Sequence, residues 1–160
     1  MSVTSVQSDT STLTLSFVSE FDAPVSAVWQ VWENPRLLER WWGPPTYPAT
    51  FVTHDLAPGG GCTYFMTGPS GDQPHGWWKV LNCDAPHRLS FESGFAHPDG
   101  TIDPSMPVMV VEVSLESLGS DTTRMSLDVT FASLYAMERI MTMGMQEGMS
   151  GALSQIDSLL

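Results

Sequence analysis

The chain has 160 residues, 42% of them apolar and 15% charged, enough for one domain that buries roughly 70% of its unfolded surface. That composition excludes a disordered chain, and its polar interruptions exclude a spanning helix. Six Lys+Arg against eighteen Asp+Glu give a formal charge of -12, the wrong sign for nucleic acid or an anionic membrane surface, so neither is an expected partner.

Residues 1–12 (MSVTSVQSDTST) are Ser/Thr-rich without apolar period and are expected as a disordered tail, leaving a single domain over 13–160. Leu13, Leu15 and Phe17 alternate with Thr14 and Ser16, which predicts a first strand with one buried face. Asp22 and Pro24 open a short helix whose stripe is Val25, Val28, Trp29 and Trp32. Asn34-Pro35 ends it and caps a second short helix, which runs to about Arg40 before Gly43-Pro44-Pro45.

From Ala49 to Phe131, alternating runs at about 49–56, 61–67, 75–83, 88–95, 107–118 and 122–131 predict an antiparallel meander. In the last two runs the apolar sets Val111, Val113, Leu115 and Met125, Leu127, Val129, Phe131 are all odd-numbered. Placing both on one side requires partner numbers with an even sum, hence a hairpin loop with an odd number of residues, Gly119 to Asp121. In the tandem Trp77-Trp78 the two rings must face opposite sides of the sheet, with Trp78 inward.

Residues 134–160 contain no proline, and Met137, Ile140, Met141, Met145, Met149, Ala152, Leu153, Ile156 and Leu160 recur at spacings of three and four, predicting one long C-terminal helix. The order is α+β, with a curved antiparallel sheet of about seven strands wrapped around that helix. Gly144, Gly148 and Gly151 each cost a helix about 1 kcal/mol. Close approach to the sheet, or room for a ligand beside an adaptable methionine lining, would compensate.

Catalytic and metal patterns are weak. His54, His75, His87 and His97 lack metal-ligand spacing, although His97, Asp99 and Asp103 share a loop. Gly59-Gly60-Gly61 follows Pro58 and precedes a strand, which reads as a turn and not as a phosphate cradle. Cys62 and Cys83 lie in strand-like runs, so no nucleophile, metal or cofactor is assigned. Those two cysteines allow at most one bridge, and no leader pattern opens the chain; the expected location is cytoplasmic.

Five motifs occur in one order: Phe21-Asp22-Ala23-Pro24 with Val28-Trp29; Trp41-Trp42-Gly43-Pro44; Asp55 followed by Pro58-Gly59-Gly60; Pro86-His87-Arg88-Leu89; and Gly144-Met145-Gln146-Glu147-Gly148. In these the chain resembles bacterial proteins related to the C-terminal domain of the activator of the heat-shock chaperone ATPase, within the START-like (SRPBCC) helix-grip superfamily. The resemblance implies a sheet gripping a long C-terminal helix, two short helices after strand one, and a cavity between helix and sheet. The chain departs from the family pattern at Ala57, commonly Arg, and at Met149, commonly Trp.

The leading functional expectation is binding of a small hydrophobic or amphipathic molecule between the last helix and the sheet. Its candidate contacts are Trp42, Tyr64, Met66, Trp78, Phe91, Val111, Met141 and Met145. One alternative is a cyclase or hydratase-like enzyme on a polyketide-like or aromatic substrate, for which Tyr64, His75 and Asn82 are the nearest polar candidates, without a convincing acid/base pair. The other, which the resemblance suggests, is a co-chaperone-like stimulator of a chaperone ATPase. Six tryptophans and a long apolar-edged sheet also suggest a homodimer.

Overall fold

The alternation Leu15, Phe17, Ser19, Phe21 makes β2 (Thr14–Phe21) half-buried, with every second residue inside. The same period builds β3 (Ala49–His54), β4 (Gly61–Met66), β5 (His75–Asp84), β6 (Arg88–Ala96), β7 (Met109–Gly119) and β8 (Thr122–Phe131). The computed structural model, which describes residues 3–160, joins them with an N-terminal strand β1 into one eight-stranded antiparallel sheet of order β1-β2-β8-β7-β6-β5-β4-β3.

β1 (Val3–Asp9) corrects the expected tail: the segment pairs with β2 from Ser5↔Val18 to Asp9↔Thr14, while residues 1 and 2 lie outside the described residues. An apolar period is not needed for this pairing. Backbone hydrogen bonds to the otherwise open edge of β2 order the strand, and Val6 packs against the core.

Between β7 and β8 the expected parity holds, with Val111↔Val129, Val113↔Leu127 and Leu115↔Met125 opposite one another on the inner face. The odd residue is absorbed differently from expectation. The register shifts between Ser117 and Gly119, so Leu118 is the extra residue and Gly119 pairs Thr122 across Ser120-Asp121.

The stripe Val28, Trp29 and Trp32, joined by Val31, buries α1 (Val25–Glu33), and the Asn34 side chain accepts the Arg36 amide to cap α2 (Pro35–Leu38). α2 also closes the free edge of β3. Glu39 accepts the Phe51 amide at 2.7 Å, and Arg36 pairs with Glu39 at 3.4 Å.

The predicted single long helix is instead two helices and a short turn: α3 (Leu134–Thr142), α4 (Met145–Leu153) and a 3-10 turn over Ile156–Leu159. Gly144, at φ +88, sits between α3 and α4 in the left-handed region and redirects the chain. α4 then lies nearest β2, and α1 nearest β7 and β8. Trp78 enters the core as expected. Trp77 covers the outer face, where it lies across Gly94 and donates its indole N–H to the Phe95 carbonyl at 3.1 Å.

Candidate functional site

The strands that run toward one end of the sheet stop there together: β4 ends at Met66, β6 ends after Phe95, β5 begins after Pro74 and β7 begins at Met109. Their concave side is roofed by the end of α3, the Met143-Gly144 break and α4. A third wall is the segment Trp42–Tyr47. It turns sharply because Gly43 adopts φ +106, where any Cβ would lie 2.3 Å from the Tyr47 carbonyl oxygen. Gln155 fixes this segment to the C-terminus by donating to the Gly43 carbonyl at 2.8 Å.

These walls enclose a cavity of about 470 Å³. Its apolar surfaces come from Trp42, Met66, Phe95, Met109, Ile140, Met143, Met145, Met149 and Ala152, and no lining residue carries a charge. Five thioethers make the lining adaptable. Gly148 also lies on the wall, and a Cβ there would meet open space. At the rim, the Tyr47 hydroxyl donates to Asp72 at 2.8 Å, and Ser70 donates to the same carboxylate at 2.8 Å. These hydrogen bonds hold the Asp72 carboxyl below the usual carboxylate range and raise the Tyr47 phenol.

The expected contact residues separate into two groups. Trp42, Met66 and Met145 stand on the cavity wall. Tyr64, Trp78, Phe91 and Val111 do not; they are buried in the core beside the wall, and Met141 is half-buried against that core. Their place is an aromatic cluster in which Trp78 stacks on Phe91 at 4.1 Å and meets Trp42 edge-on at 4.8 Å. Burial pushes the Tyr64 phenol up, opposed by its polar neighbours Trp42, Trp78 and Ser93. Among the described residues the Trp42 and Trp78 indole N–H groups nevertheless reach no acceptor in hydrogen-bonding geometry.

Sequence reasoning missed Tyr47, Pro74, Phe95, Met109 and Met143 as wall residues. The methionine spacing pointed to the helical side. Nothing local announces which strand ends converge. The helix break also divides the methionines, since Met137 on α3 is core while Met145 and Met149 on α4 face the cavity.

The polar candidates do not assemble a reaction centre. Tyr64 is buried, whereas His75 stacks near Phe65 with its ring nitrogen 2.8 Å from the Gln73 carbonyl. Asn82 lies on the exposed side of β5, roughly 20 Å along the strand from His75. Among the described residues no group of three or more His, Cys, Asp or Glu is placed to hold a metal ion. Asp99 and Asp103 instead accept from Thr101 and Ser105, which lowers both carboxyls. Gly60 donates to the Ala57 carbonyl at 2.7 Å, so the glycine run is the expected turn. No helix among the described residues is long and apolar enough to cross a membrane.

Among solved structures, a crystal structure of a Mycobacterium smegmatis protein is 45% identical, with TM-score 0.90 over 99% of this chain and 96% of that chain. A solution structure of an Arthrobacter aurescens protein is 47% identical, with TM-score 0.94 over 98% and 91% of the two chains. A Silicibacter pomeroyi protein shares the fold at 20% identity, TM-score 0.72, over 91% of this chain and 95% of that one. A comparison with curated proteins gives no match. The family model described as "Activator of Hsp90 ATPase homolog 1-like protein" matches residues 22–160.

Proposed function

We propose that this chain, which belongs to the activator of Hsp90 ATPase homolog 1-like family, binds a small apolar or amphipathic molecule in the cavity between its C-terminal helices and its sheet. The observation that carries the reading is the cavity itself. It has about 470 Å³ of space, an aromatic and thioether lining without charge, and a glycine, Gly148, where a side chain would fill it. Affinity in such a site comes from burying ligand surface at roughly 25 cal/mol per Å². Met66, Met143, Met145 and Met149 have the rotamer freedom to close around different shapes.

The test is titration of the neutral dye Nile red, read by its blue-shifted emission, into the wild type and Gly148→Leu. The Leu side chain grows from an unobstructed Cβ into the cavity and improves helix propensity, so the variant keeps its fold. We expect at least a tenfold loss of dye affinity without a lower melting temperature. Equal binding by both proteins refutes the cavity as the site. A protein whose function lies on its outer surface, as a chaperone-ATPase stimulator's would, shows no saturable dye binding at all.

A further inference from the structure

The charges around the cavity are distributed unevenly. None of the chain's six Lys and Arg residues lines it. Arg139 is the closest in sequence to a wall residue, Ile140, but its guanidinium is turned to the Ser105 carbonyl at 3.2 Å and the Met106 sulfur at 3.2 Å. Lys79 is exposed opposite Glu92 on the sheet, and Arg124 is paired with Glu20. Arg36 belongs to the β3 edge, and Arg40 and Arg88 are exposed.

The charged side chain bonded to the wall, in contrast, is acidic. Asp72 is an exposed carboxylate held by hydrogen bonds from the wall residue Tyr47 and from Ser70. Glu147 is exposed one residue from the wall glycine Gly148. The whole chain carries -12, so the long-range field repels anions and attracts cations. A carboxylate or phosphate ligand has no cation to meet here. An ammonium meets the Asp72 carboxylate beside Tyr47, while the side chains of Trp42, Tyr47 and Phe95 and the thioethers on the wall accept the polarisable body behind it.

From this we propose that the cavity takes a lipophilic amine, with its apolar body between Trp42 and the methionines and its ammonium in water beside Asp72. The inference rests on the cavity being a binding site and adds the charge class of the occupant. The same arrangement disfavours fatty acids and other organic anions.

Three probes of one shape and different charge test it: naphthylmethylamine, naphthylmethanol and naphthoate, each titrated by calorimetry at low ionic strength into the wild type and Asp72→Asn. The side-chain amide introduced by that substitution still accepts the Tyr47 hydroxyl, so the variant removes charge and keeps the rim hydrogen bond. We expect the amine to bind about fivefold tighter than the alcohol, and the acid at least tenfold weaker than the amine. In the variant the amine should fall to the level of the alcohol, whose affinity stays unchanged, and high salt should produce the same levelling. Binding of all three with equal affinity, or tightest binding of naphthoate, overturns the amine assignment and leaves the cavity as a site for neutral molecules. Absence of binding by all three, together with absence of saturable Nile red binding, overturns both.

Discussion

Two glycines four residues apart separate backbone conformation from steric room. Beyond its own chain neighbours and local helix backbone, neither Gly144 nor Gly148 has a described atom within 4 Å of where a Cβ would stand, so packing against the rest of the molecule opposes an alanine at neither position. Their backbones differ. Gly148 is inside α4, where its amide donates to the Gly144 carbonyl at 2.9 Å, whereas Gly144 adopts φ +88. For Gly148→Ala the helix-propensity difference gives a gain of about 1 kcal/mol. For Gly144→Ala the left-handed backbone costs about 1–2 kcal/mol, partly offset by about 0.4–1 kcal/mol from the stiffer unfolded chain, a net loss near 1 kcal/mol. Urea denaturation followed by tryptophan fluorescence reads both; with m near 2 kcal/mol/M the midpoints move about 0.5 M in opposite directions. If both variants shift the same way, the left-handed break at Gly144 is not the reason that glycine stands there.

Three further outcomes follow from the packing. Gly94→Ala is expected to destabilise by about 1–3 kcal/mol, because its Cβ would lie 2.7 Å from the Trp77 indole; a red-shifted tryptophan emission checks that the ring is displaced. Glu39→Ala should cost about 1.5–3 kcal/mol by uncapping the Phe51 amide on the edge of β3, with Glu39→Gln recovering part of it, both measured by denaturant unfolding. Burial pushes the Cys62 thiol up to about 12 and also raises the Tyr64 phenol, so both favour their neutral forms in the folded state. The stability they contribute is complete below their unfolded pKa values and is lost as pH rises from about 9 toward 12, a loss that Cys62→Ala should reduce in unfolding midpoints across that range.

The parts of this molecule that the sequence by itself determined are those governed by local period and parity. The even-sum register of β7 with β8, the Asn34 cap, the opposite facing of Trp77 and Trp78 and the buried stripe of α1 all follow from side-chain spacing along one or two neighbouring segments. The family motifs added the helix-grip arrangement. Tertiary structure decided the rest, for identifiable reasons. The Ser/Thr-rich β1 carries no apolar signal because the open edge of β2 orders it through backbone pairing. Helical periodicity continues across Gly144, so only the three-dimensional path reveals that α3 and α4 turn different methionines inward. Tyr64, Trp78, Phe91 and Val111 have the alternation of inward strand residues, and alternation fixes a face of the sheet without fixing a position along it. The cavity lies where strand ends, a glycine turn at Gly43 and a helix break meet, and that meeting depends on sheet curvature and chain crossing, which no single stretch of sequence encodes.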